Sequence, residues 1–152
     1  MGAEYQPFKL LDVIANANPH LFLHLGDTVY VDRPKKEFFP SVRHYRRKHA
    51  EIRKDAPLQR LLAGVSTSAT WDDHEIEDNC HGGNPNFSEA MQVFREYWPA
   101  RGASAEVLYR RINWGSCDFF ILERKNCRCG NSLGRLSHGA RLVERQERDA
   151  PM

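Results

Sequence analysis

Two short runs, each suited to a buried strand and each stopping in acid, constrain this chain more than any other feature. Leu21-Phe22-Leu23-His24-Leu25 is apolar up to Gly26-Asp27, and Val65 to Trp71 (V-S-T-S-A-T-W) is rich in β-branched residues up to Asp72-Asp73. Helical patterns surround them. Leu10, Leu11 and Ile14 recur at helical spacing from Pro7 until Asn18-Pro19. Val42, Tyr45, His49, Ile52 and Ala56 step by 3, 4, 3 and 4, which predicts one buried helix face. Arg43, Arg46, Arg47, Lys48, Arg53 and Lys54 cover its other sides. Pro57, after Asp55, ends that helix and opens a short one through Leu61 and Leu62. Asn86 and Glu89 have capping-box spacing before a buried stripe of Phe87, Ala90, Met91, Phe94, Tyr97 and Trp98. Val107 to Asn113 and Cys117 to Leu122 read as a hairpin around Trp114-Gly115-Ser116. Helix, strand, helix, strand, helix, hairpin is an α/β order, whose strands place chemistry in the loops at their carboxyl ends.

Composition narrows the class. The 152 residues, 41% hydrophobic and 28% charged, suit one globular domain or a piece of a larger one. A net charge of +2 is too small to argue for nucleic acid from bulk charge. No apolar run reaches the roughly 18 residues a membrane span needs. Met1 to Lys9 lacks the basic and apolar segments of a signal peptide, which leaves the compartment open. Cys80 and Cys117 stand alone and Cys127 and Cys129 form a C-x-C, so free thiols are expected, with a zinc site using Cys127, Cys129 and His138 as the lesser alternative. From Lys125 to Met152 the pattern dissolves into a basic, poorly ordered tail with six basic and three acidic residues.

Chemistry concentrates in the two acidic loops. After the first strand, Gly26 lets the backbone approach whatever Asp27 holds, and Tyr30 and Asp32 add further oxygen donors. After the second, Asp72, Asp73, His74, Glu75, Glu77, Asp78 and Asn79 crowd into eight positions. So many carboxylates repel one another unless solvent or a cation screens them. Hard cations suit such oxygen-rich clusters, and a histidine adds a nitrogen ligand or a proton donor. A solvated acidic loop with an aspartate capping a helix is the plainer alternative.

The paired motifs resemble those of the PhoD-like (alkaline phosphatase D) phosphatases, within the calcineurin-like metallophosphoesterase superfamily. The residues that carry the resemblance are His24-Leu25-Gly26-Asp27 with Tyr30, Trp71-Asp72-Asp73-His74-Glu75 with Asn79, Phe94 to Pro99, Leu108-Tyr109-Arg110, Trp114-Gly115 and Phe119 to Leu122. The resemblance implies a layered β-sandwich flanked by helices, and phosphomonoester or phosphodiester hydrolysis at a dinuclear metal centre with a bridging hydroxide. It implies Asp27 as the carboxylate bridging two metals, Tyr30 as a phenolate ligand, and Asp73 on the second metal, with Asp72 and Asn79 as further ligands. His74 matches the histidine that contacts the phosphate or protonates the leaving oxygen. Iron with calcium, or other divalent cations, are the implied cofactors, and nucleic acid enters only as a substrate. Members of the family are often exported.

The family pattern also has an upstream motif with an aspartate and a histidine or cysteine, and His-bearing motifs downstream. Nothing before Leu21 or after Leu122 matches them. The chain therefore reads as a fragment of the α/β catalytic domain, residues 1–124, followed by the tail at 125–152, with impaired activity and an uncovered sheet face. Two alternatives stand beside the hydrolase: a non-catalytic fragment, and a basic nucleic-acid-binding module built on the Arg33 to Lys54 stretch and the tail. That stretch reads first as a solvated helix face and second as an attractor of anionic substrates.

Overall fold

Helix α1 (Lys9–Asn16) leads into strand β1 (Leu21–Leu25), and the chain then crosses through two helices, α2 (Val42–Ile52) and α3 (Ala56–Gly64), to strand β2 (Ser66–Thr70). This computed structural model describes residues 1–80, 84–100 and 108–122. The crossing is needed because β1 and β2 pair in parallel, with Leu21 opposite Ser66 and Leu25 opposite Thr70. Helix α4 (Phe87–Tyr97) follows, then strands β3 (Arg110–Trp114) and β4 (Cys117–Ile121). These form an antiparallel hairpin in which Trp114 faces Cys117. The hairpin loop is therefore only Gly115-Ser116, and Gly115 takes the positive φ (+60°) that tight hairpin turns demand. The expected segments from Lys125 onward, Gly82-Gly83 and Val107, together with Cys127, Cys129 and His138, lie outside the described residues.

Side chains at the element ends explain where the helices start. Ser41 Oγ accepts from the His44 amide at 3.2 Å and caps α2. Asp55 caps α3 through Oδ1, which accepts from the Leu58 amide at 3.0 Å, while Oδ2 accepts from the Phe8 amide at 3.1 Å. This cap breaks the run expected to include Ala56: α2 stops at Ile52, and Ala56 is exposed at the start of α3. The capping box expected at Asn86 and Glu89 does not form. Asn86 makes no side-chain cap; its own amide donates to Asn84 Oδ1 at 2.8 Å, and Glu89 accepts from Ser88.

One hydrophobic core joins these pieces, with Tyr45, Leu58, Leu61, Ile76, Val93, Phe94 and Leu108 fully buried among Trp71, Val29 and Val31. Asp12 clamps Arg60 with two 2.8 Å hydrogen bonds between α1 and α3. Arg46 grips Glu96 in the same forked way between α2 and α4. Several basic side chains of α2 thus have structural duties rather than the open, solvated face that was expected. Lys48 is 6% exposed and pairs with Glu51 at 3.4 Å. Arg53 lies 4.2 Å over the Trp98 ring and donates to the Tyr97 carbonyl.

His49 is buried at the α2–α4 seam, stacked on Tyr97 at 4.7 Å. Burial, then the nearby Arg53 charge, hold its pKa down to about 3. Unfolding releases it to the ordinary value near 6.5, so the unfolded chain binds a proton that the folded chain refuses. Stability is therefore full above about pH 6.5 and falls as the pH drops toward 3. At pH 5 this costs on the order of 2 kcal/mol. H49F keeps the stacking ring, and its urea midpoint should change less between pH 7 and pH 5 than that of the parent.

Candidate metal centre

Because Leu25 stands opposite Thr70, the chain leaves both strands at one level, and Gly26-Asp27 runs beside Trp71-Asp72-Asp73. The approach is close. A Cβ on Gly26 would lie 2.8 Å from Asp72 Cβ and 3.0 Å from the Asp72 amide nitrogen. Gly26 also has φ +117°, so a side chain there is excluded on two counts. Asp27 follows at φ +55°, a left-handed conformation that aspartate tolerates better than most residues.

Asp27, Asp73 and His74 converge here, with one ligand-capable atom of each within 4.8 Å of the others. Among the described residues, Asp27 Oδ1 is buried without a hydrogen-bond partner. Asp27 Oδ2 accepts from the Tyr30 hydroxyl at 3.3 Å, and the Tyr30 ring stacks on the His74 imidazole at 4.1 Å. Burial first, then the Asp27 charge and hydrogen bond, push the Tyr30 phenol up, so it keeps the proton that it donates. Met1 lies against this loop: its ammonium donates to the Asp27 carbonyl, and its carbonyl accepts from the Tyr30 amide.

The second loop holds Asp73 from its own backbone. Asp73 Oδ1 accepts from the His74 amide at 3.2 Å and Oδ2 from the Asn79 amide at 2.7 Å. Its carbonyl accepts from the Ile76 and Glu77 amides, closing a turn. The Asn79 side chain, at φ +57°, donates to Asp78 Oδ1 at 2.8 Å. Asp72 is exposed and lies outside the group of three. The structure thus brings together Asp27, Tyr30, Asp73 and His74, while Asn79 meets Asp73 through its backbone.

Two buried acids beside the centre have duties that sequence reasoning missed. Asp32, expected as a further oxygen donor, is 4% exposed and spends both oxygens on the second loop. Its Oδ1 lies 2.9 Å from His74 Nδ1, and its Oδ2 accepts from the Asp78 amide at 3.2 Å. Glu75, expected only as part of the acidic crowd, is 1% exposed and accepts from Thr28 and from the Asp72 amide. Burial pushes the Glu75 carboxyl up against those donors. A signal was available: fully buried Val31 and Ile76 adjoin Asp32 and Glu75, so the chain dips into the core at both acids.

Two carboxylates held together repel unless a cation lies between them. A buried, unsatisfied carboxylate oxygen beside an imidazole and a phenol fits a hard or borderline metal ion.

A solved structure, "Structure of PhoD", matches this mixed α/β fold with a TM-score of 0.68, which places it in the metallophosphoesterase type. That match has 25% identity and covers 79% of this chain and 29% of the other. The family model for PhoD-like phosphatases matches residues 2–151, and the chain belongs to that family. The alkaline phosphatase D of Bacillus subtilis (strain 168) is 28% identical over 138 residues, covering 71% of this chain and 24% of the relative. The chain thus spans about a quarter of the length of the curated relative it matches. Among the described residues no helix is long and apolar enough to cross a membrane.

Proposed function

We propose that the chain supplies two acidic loops of a metal-dependent hydrolase of phosphomonoesters or phosphodiesters. In this reading Asp27, Tyr30 and Asp73 would hold the cations, with Asp27 shared between two of them, and Asp72 and Asn79 would be further ligands. The observation that carries it is the convergence of Asp27, Asp73 and His74 around a carboxylate oxygen with no hydrogen-bond partner among the described residues. Bound cations, iron with calcium or other divalent ions, would supply an activated water and absorb charge on the phosphoryl group.

The chain's own residues account for the proton. A carboxylate at Asp32 accepts from His74 Nδ1–H and so leaves Nε2 as the ring nitrogen able to protonate the leaving oxygen. The stacked Tyr30 ring limits how far the imidazole can turn. D32N removes this orientation while leaving every proposed ligand in place. It should lower kcat by about 10–100-fold, the usual cost of losing a partner one layer behind a metal site.

The decisive experiment loads the purified chain with manganese, or with iron and calcium, and assays p-nitrophenyl phosphate and bis(p-nitrophenyl) phosphate. Turnover is expected to be weak, because the chain spans about a quarter of the length of the curated relative it matches. Metal uptake is therefore the main readout. No uptake at micromolar concentrations overturns the reading. Uptake with turnover that vanishes in H74A supports it.

A further inference from the structure

The geometry points to Glu75 as the positioning residue that sets the gap between the two metal-binding loops. This rests on the phosphoesterase reading and extends it to a residue that is not itself a ligand. The two oxygens of the Glu75 carboxylate face different loops. Oε1 accepts from the Thr28 amide and, at 2.8 Å, from the Thr28 hydroxyl; Oε2 accepts from the Asp72 amide at 2.9 Å. Thr28 directly follows Asp27, and Asp72 directly precedes Asp73. One buried carboxylate therefore joins the backbone beside both acidic ligands.

The need for this tie follows from the strands. The β1–β2 ladder ends at Leu25 and Thr70, and beyond that point the loops meet only through single bonds further along, the Val31 amide to the His74 carbonyl at 3.0 Å and Asp32 to His74 and Asp78 among them. Glu75 continues the connection where the ladder stops. The tie requires two acceptor atoms and the full length of a glutamate. Glutamine turns an NH2 toward an N–H donor at one end, and aspartate is one methylene too short to meet both loops. Either change leaves a buried donor without an acceptor and lets the loops drift apart.

A positioning role is separable from general stabilisation. E75Q and E75D are compared in the full chain with L61V, which trims the core at α3, on a helix that carries neither loop. Manganese binding is measured by titration calorimetry, and protection of the Thr28 and Asp72 amides by hydrogen exchange. E75Q and E75D should weaken manganese binding by about 10–100-fold and lose protection at those two amides. L61V should lose thermal stability yet bind manganese like the parent.

E75Q that folds and binds manganese within about twofold of the parent overturns the inference, and so does L61V weakening binding as much as E75Q. If E75Q does not fold, T28V decides: it deletes one donor to Oε1 at constant shape and should weaken binding several-fold, and unchanged binding overturns the inference. No manganese binding by the parent would overturn the phosphoesterase reading and this inference with it. Binding by the parent that E75Q leaves intact removes the inference alone.

Discussion

D27N should abolish metal uptake and phosphoester turnover while leaving the metal-free fold as stable as the parent. Asparagine matches aspartate in shape and tolerates the left-handed backbone at φ +55°, so the substitution removes charge without adding strain. The loss in metal affinity should exceed the roughly 10–100-fold that a partner one layer further out is worth. Removing one of two neighbouring carboxylates also relieves repulsion in the metal-free chain, so the melting temperature should hold or rise. D27A makes the contrast. It deletes the same charge but places alanine at a positive φ, a strain of about 1–3 kcal/mol. Calorimetric metal titration and thermal unfolding of the two variants separate the chemistry of Asp27 from its backbone. A D27N chain that still binds manganese like the parent would remove Asp27 from the centre.

The second large effect belongs to Gly26. G26A meets Asp72 Cβ at 2.8 Å and the Asp72 amide nitrogen at 3.0 Å, at φ +117°. Positive-φ strain costs about 1–3 kcal/mol and forced displacement of packed neighbours about 1–3 kcal/mol more. Urea unfolding should therefore show a loss of about 3 kcal/mol or more. Any relief of the clash pushes Asp72 and Asp73 away from Asp27, so metal affinity should fall too. Gly115 is the matched control: it has φ +60°, but no described residue lies within 4 Å of an added Cβ. G115A should cost only about 1 kcal/mol and leave metal binding untouched. Equal losses in G26A and G115A would mean that the approach of the two loops has no energetic weight.

Much of this fold could be read from local pattern. Leu21 to Leu25 and Val65 to Trp71 declared themselves as strands because apolar and β-branched runs of that length have few other places to go. The break at Asp55-Pro57 is visible in the sequence, yet spacing alone places Ala56 on the face of α2. Spacing says which residues share a side but not where a cap interrupts it. The capping box failed for a related reason: Asn84, two residues earlier, took the Asn86 amide. Lys48 and Arg53 looked like solvent-facing charge because burial by a partner helix leaves no mark in the sequence of α2.

The centre divides along the same line. The nearness of Asp27, Tyr30, Asp73 and His74 was legible because each stands in a short motif beside its strand end, and those ends are levelled by strand pairing. Asp32 and Glu75 act across the gap between the loops, on partners more than 40 residues away in sequence. No local pattern encodes such a partner. What the sequence carried for them was only the apolar neighbour, Val31 or Ile76, that draws each acid inward.

The level ending of β1 and β2 has one more consequence, for how this architecture can change length. A residue inserted into either strand would push its acidic loop out of line by about 3.3 Å and turn the following side chains to the opposite face. The exposed surface turn at Pro34 to Glu37 lies in the crossover between the two strands, outside both, and is under no such restriction. Insertions and shortenings across relatives should therefore collect in turns like this one, while the distance from each strand's start to its aspartate stays constant.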